Sequence, residues 1–441
     1  MSSEWRTTTL GEVTDWRSGG TPKKDTPAYW GGDIPWISAN SMYGTRYSDS
    51  DLRITHDGLV NGSRLAPKDS ILLLVRGGAL HNRLPVGIAT RDVAFNQDVK
   101  ALVAKQEVIS PWYLLFWLMG QEKYLLNSVV EYTGIGAGKL DTKRMQALEI
   151  LLPPRSEQDA IVELVKAMDD RINLLRETNA TLEAIAQAMF KSWFVDFDPV
   201  HAKQQGRAPE GMSEATAALF PDSFEESELG LVPRGWKVEP LTEVFDFREG
   251  PGIRNWQYTN SDQGTRFINI RCIQDGDLSI ETASRITDEE ANGKYAHFHL
   301  QAWDVVVSTS GTLGRSAIVR QEHLPLMLNT SVIRFQPIKE KMRFSFVYEY
   351  LNSTEFLFKL NSMASGSVQK NFGPMHLKQM KLVCPPIDLL EHYESICRPL
   401  FEKVVANRAR IATLATLRDM LLPRLMSGNI KLAANDQPGK Q

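Results

Sequence analysis

Arginine, asparagine, glutamine, lysine and hydroxyl side chains recur in short glycine-containing loops of this 441-residue sequence. The stretch VRGGALHNR carries Arg76, His81, Asn82 and Arg83 beside two glycines, and STSGTLGR carries Ser308, Thr309 and Arg315. SGGTPKKD supplies Lys23 and Lys24, GIGAGK supplies Lys139, and SGSVQKN supplies Gln369, Lys370 and Asn371. Asn40 stands in ISANS and Arg271 in NIRC. Arg, Asn and Gln can bond a base edge through two atoms at once, whereas Lys, Ser and Thr mainly hold phosphates. Any one of these residues also reads as an ordinary solvated loop side chain. What sets them apart is that such loops recur at matching places in the two halves of the chain.

The patterns that would announce catalysis do not form. GIGAGKL has Thr133 where a phosphate loop needs its first glycine and Leu140 where it needs a hydroxyl. The eight histidines show neither HxxxH nor HExxH spacing, so no metal site or cofactor is expected. LLPPR and VCPPI lack the polar residue that an amino-methyltransferase places before paired prolines, and no GxSxG occurs. The acidic run PDSFEESE has no following lysine on a strand to make it a nuclease centre. The residues describe a binding protein and not an enzyme.

Composition sets the frame for that binding. The net charge is -3, but residues 151–234 hold 8 basic against 15 acidic side chains, while 1–150 and 235–381 are each balanced at 17 against 16. A balanced domain can still carry a basic face, but it is not a purely electrostatic phosphate binder. The longest apolar runs, ILLLV and WYLLFWLM, fall far short of the roughly 20 residues that span a bilayer. The N-terminal MSSEWRTTTLGEV is not patterned as a signal peptide, and Cys272, Cys384 and Cys397 form no CxxC. A cytoplasmic protein with three buried thiols is expected.

The elements that must position the loops come in two copies. ALEILLPPRSEQDAI and QMKLVCPPIDLLEHY share an order of apolar run, Pro-Pro and amphipathic stretch at an offset of 232. WRTTTLGEV faces WKVEPLTEV, GDIPWISANSM faces GTRFINIRCIQ, and ILLLVRGGAL faces VVVSTSGTLG, all in the same order. Within each copy, short β-branched and aromatic runs alternate with turn residues and end in a helical pattern. After each Pro-Pro a 4-3 apolar repeat continues for over four heptads, from Ile161 to Trp193 and from Tyr393 to Leu425. Each seam contains an asparagine, Asn179 or Asn407, which is either a register-setting buried polar group or a tolerated exposed one. Helices of about 35 residues would be about 50 Å long, more than a compact block can cover, so each is the other's economical partner.

The expected fold class is α+β. Two similar mixed α/β domains are separated by two long helices forming an antiparallel coiled coil, as a pseudo-two-fold internal repeat. The expected divisions are recognition domain 1 at 1–152, spacer helix 1 at 153–196, a linker at 197–234, recognition domain 2 at 235–384, spacer helix 2 at 385–430 and a tail at 431–441. Copies that keep a frame but differ in loop content suit a reader of two different half-sites. Half-sites one helical turn apart, about 34–36 Å, would lie on one face of a duplex. A scaffold of repeated interaction domains without DNA contact is the alternative.

On LGEV and LTEV, the SGSVQKN loop, LPPRSEQDAIVELVKAMDDRI and LRDMLLPRLMSGNI, the whole chain resembles the DNA-specificity subunits of type I restriction–modification systems. Copy two lacks the Glu-Gln pair after its prolines, and GIGAGK lacks the glutamine of its counterpart. The resemblance implies two target-recognition domains on a coiled-coil spacer, each reading half of a bipartite double-stranded DNA site. It also implies partners: two copies of a modification subunit that carries S-adenosylmethionine and methylates adenine, and a restriction subunit with translocase and nuclease activity.

Overall fold

The computed structural model describes residues 5–133, 136–274, 276–281, 283–364 and 372–432. The chain divides into two compact units, Met1–Leu174 with Arg410–Gln441, and Leu175–Ala409. This division differs from the blocks expected from sequence, because each unit takes part of both long helices.

In unit 1, Thr14–Ser18, Val99–Ala104, Ile71–Leu74, Val86–Ala89 and Arg46–Tyr47 form a five-stranded sheet in that order. The ILLL strand is central and buried on both faces, which is why it reads as a continuous apolar run. A second sheet holds Trp30–Ile37 parallel to Val93–Phe95. Arg6–Thr9 pairs antiparallel with Glu149–Leu152 and brings the start of the block back to its end. Helix α1 (Pro111–Gly120) starts on a proline and buries every side chain from Tyr113 to Leu118, so it is a core helix without a solvent face.

Helix α2 (Arg155–Phe190) begins directly after Pro153-Pro154. The Glu-Gln pair that follows the prolines ties it to the block. Gln158 accepts from the Ser110 amide at 2.9 Å and donates to the Val108 and Pro153 carbonyls at 3.1 Å, while the Trp5 indole donates to Glu157 at 2.7 Å.

Unit 2 repeats the frame. Phe245–Glu249, Val332–Pro337, Val305–Ser308 and Ser316–Ile318 form the main sheet. Thr265–Ile268 runs parallel to Leu326–Leu328, and Lys237–Pro240 closes on Lys381–Cys384. Helix α3 (Phe344–Asn352) occupies the place of α1, and helix α4 (Ile387–Met426) starts after Pro385-Pro386. Copy two supplies the missing glutamine's bond from elsewhere: Glu394 accepts from the Ser345 amide at 2.8 Å. The stretch expected as a linker contributes Val200 and Phe220 to the core of this unit.

Along the 4-3 seam every position is buried or half-buried. Ile161, Val165 and Ile172 in unit 1, and Leu175, Asn179, Ala186, Tyr393, Cys397, Val404 and Asn407 in unit 2, are all buried. In unit 2 the segments run antiparallel, since Asn407 bonds Asn179 and Tyr393 bonds the Ala186 carbonyl. The seam asparagines are therefore partners of each other, at 2.8 Å. In unit 1 the seam departs from an apolar rule. Asp169, one position off it, is 1% exposed and accepts from Arg418, Thr45, Arg46 and Asn173.

Among the described residues no helix is long and apolar enough to cross a membrane, and no cluster of His, Cys, Asp and Glu is set to hold a metal. Cys272 and Cys397 are buried and Cys384 is half-buried, all as free thiols.

Candidate nucleic-acid interface

In both units, two neighbouring parallel strands end side by side, and their carboxyl ends open into polar turns. In unit 1 the strand Trp30–Ile37 passes into a single 3-10 turn, Ala39–Ser41, whose Ser38 cap and Ser41 side chain bond reciprocally and leave Asn40 exposed. In unit 2 the strand Thr265–Ile268 passes into the 3-10 turn Ile270–Cys272. There the Asn269 side chain accepts from the Arg271 amide at 2.9 Å, and the Arg271 side chain is exposed. Asn40 and Arg271 thus occupy the same place in the two copies. Each turn is held because a side chain, Ser41 in the first and Asn269 in the second, offers the backbone a local partner.

A groove of about 670 Å³ lies beside Asn40, lined also by Lys24, Trp30, Trp36, Asn96 and Gln97. Trp30 and Trp36 meet edge to face at 5.3 Å, and their indole N–H groups are held by the Lys23 and Gly20 carbonyls. Those bonds fix the loop that carries the exposed Lys23 and Lys24.

Other predicted residues gather at a second place on unit 1. Arg76–Gly77 pairs with Ala137–Lys139, with Arg76 directly opposite Lys139. Two cations facing each other across a strand pair repel one another, an arrangement that a phosphate would relieve. His81 stacks on Tyr132 at 4.6 Å and its Nε2 lies 2.6 Å from the Gly136 carbonyl, while Asn82 is exposed beside it. Arg83 is half-buried, donates to the Met42 carbonyl at 2.9 Å and lies over the Tyr43 ring, so its guanidinium braces the loop.

Unit 2 requires a correction. Ser308 and Thr309 are buried, at 0% and 4% exposure. The Ser308 hydroxyl donates to the Thr312 carbonyl and accepts from the Arg315 amide, closing the loop that displays Arg315. Both side chains are turned inward, away from solvent, whereas Arg315 is exposed. Gln369, Lys370 and Asn371 lie outside the described residues.

The polar residues missed from sequence are those after the second parallel strand. Asn96 and Asn329 follow Val93–Phe95 and Leu326–Leu328, and the signal was a shared Asn-x-x-Val, NQDV against NTSV. A glycine presses on each turn. A Cβ on Gly19 would come 2.4 Å from the Asn96 carbonyl oxygen, and one on Gly250 would come 2.4 Å from that of Asn329.

Comparison with known proteins agrees with this duplicated design. Residues 2–184 and 233–389 match the type I restriction modification DNA specificity domain. The MjaIX specificity subunit of Methanocaldococcus jannaschii is 24% identical, over 98% of this chain and 95% of its own. The HindI specificity subunit of Haemophilus influenzae is 25% identical, over 73% and 78%. The crystal structure of a type I S subunit from M. genitalium shares the fold at a TM-score of 0.53 and 16% identity, covering 96% of both chains. These matches support the specificity reading and not a scaffold without DNA readout. With two copies of the specificity domain along its length, the chain belongs to the family of type I restriction–modification DNA specificity subunits.

Proposed function

We propose that each unit reads one half of a split double-stranded DNA site and that α2 and α4 set the unread gap between the halves. The observation that carries this reading is the duplicated pair of parallel strand ends, which keeps its backbone while changing its exposed side chain, Asn40 in one copy and Arg271 in the other. A conserved frame with divergent tips is what two readers of different sequence require. Lys23, Lys24, Arg76, Lys139 and Arg315 add phosphate or base contacts around those tips.

The chain supplies recognition and carries no catalytic group or cofactor of its own. Two modification subunits bearing S-adenosylmethionine dock on the helices and methylate adenine, and a restriction subunit with translocase and nuclease activity joins them in the cytoplasm. The near-neutral charge of both blocks fits a duplex gripped largely by those partners.

Single-molecule sequencing of methylated adenines in the host genome, with and without this gene, tests the proposal. One split motif should vanish on deletion. An unchanged methylome from an expressed, assembled complex would overturn it.

A further inference from the structure

The turn after the second parallel strand is built alike in both units. Asn96 Oδ1 accepts from the Asp98 amide at 3.1 Å, and Asn329 Oδ1 accepts from the Ser331 amide at 3.3 Å. The Val99 amide returns to the Asn96 carbonyl, as the Val332 amide does to Asn329. In each case the asparagine shapes the backbone and the next side chain stands outward: Gln97 in unit 1 and Thr330 in unit 2, both exposed. The glycines pressed on these turns from behind, Gly19 and Gly250, leave them no room to retreat.

Gln97 is also oriented. The Thr21 hydroxyl donates to its Oε1 at 2.6 Å, which ties the side chain to the neighbouring loop. Oε1 keeps a free lone pair, and the amide nitrogen beside it is a donor. Adenine presents a complementary N6 donor and N7 acceptor in the major groove. Gln97 and Asn40 line the same groove, so the tips of both parallel strands converge there. Thr330 offers a methyl and a hydroxyl, the latter 3.2 Å from Asn329 Oδ1, and a threonine methyl suits a thymine methyl.

We infer that Gln97 and Thr330 are specificity-determining residues, one for each half-site, with Gln97 reading an adenine. This rests on the half-site reading proposed above. An exposed glutamine fixed by a neighbouring hydroxyl has lost part of its rotamer freedom before binding, which favours a specific contact over a diffuse one.

The test is a methylated-adenine map of cells carrying the full complex with the wild-type chain, Gln97→Ala, Gln97→Glu or Thr330→Ala. Gln97→Ala should reduce the preference at one adenine of one half-site about tenfold and leave the other half intact. Gln97→Glu should move that preference toward cytosine, whose N4 group is a donor. Thr330→Ala should relax one position of the opposite half. A wild-type split motif that all three variants reproduce unchanged overturns the inference and leaves the half-site reading standing. A uniform loss over all sequences also overturns it, by making the residues phosphate contacts. A wild-type complex with no split motif instead defeats the reading beneath it.

Discussion

At equivalent points of the duplicated helices, unit 1 holds Asp169 and Arg418 whereas unit 2 holds Phe401 and Ala186. The two pairs are related by the 232-residue offset, and all but Arg418 are fully buried. Unit 1 fills the position with an ion pair at 3.2 Å that also receives Thr45 and Arg46 from the globular part, and Arg46 reaches on to Asp170. Unit 2 fills it with an aromatic ring and a methyl. The same backbone place thus accepts a polar network or an apolar contact, and the difference lies in what each arrangement fixes. Hydrogen bonds to one carboxylate specify a single angle and register between loop and helix; apolar packing tolerates small slides.

Breaking the ionic side of this comparison should have the largest effect. Arg418→Ala takes from buried Asp169 its cross-helix cation while Arg46, Thr45 and Asn173 remain, and should cost about 1.5–3 kcal/mol in denaturant unfolding of the full chain. Replacing both, as Asp169→Phe with Arg418→Ala, copies unit 2 into unit 1 and should recover most of that loss. A double variant as unstable as the single one would show that the two helix seams are not interchangeable.

Charge also separates the units when pH changes. In unit 2, burial, reinforced by the neighbouring Glu183, pushes the Glu349 carboxyl up to about 8. The folded chain therefore holds a proton that the unfolded chain releases near the ordinary carboxylate range. The sign follows: this group's contribution to stability is fully present below about pH 4.5 and is lost as pH rises through 8. Glu349→Gln should flatten that decline, by on the order of 2–3 kcal/mol at pH 8.5. An unchanged pH profile would mean that the carboxyl is solvated.

The paired seam asparagines sharpen the comparison further. Asn179→Leu with Asn407→Leu should raise the free energy of unfolding by about 1–2 kcal/mol, while permitting alternative helix registers. Cysteine pairs placed across the seam would report those registers as new cross-links. The smallest effect is expected at the surface. Arg76→Ala should weaken binding of the assembled complex to all duplexes alike and reduce the salt dependence by about one ion. A loss confined to one sequence would instead make Arg76 a base reader.

The repeat, the helix starts after each Pro-Pro and the buried seam were legible because they follow apolar spacing and proline, which act locally. The ion pair was not, because Asp169 lies beside the seam and its burial depends on Thr45 and Arg46, over 120 residues away in sequence. The burial of Ser308 and Thr309 was not legible, because a serine-rich loop looks the same whether its hydroxyls face solvent or turn inward. Asn40 and Arg271 stood out in sequence as polar residues; that they share a backbone place became visible only once the parallel strands were paired. Gln97 was hidden in a turn without glycine or proline, the two residues that best mark turns in a sequence.

The division of the helices between units has a consequence for synthesis. Unit 1 buries Leu422, Leu425 and Met426 in the same core as residues 10–165. Unit 2 lies between these two segments of chain and is continuous. As the polypeptide leaves the ribosome, the first unit to be made cannot complete its interior until nearly the last described residues emerge. The second unit can close earlier. Domains usually mature in the order of translation; here the nesting reverses that order, and the nascent chain must shelter an unfinished apolar surface while the inner unit folds.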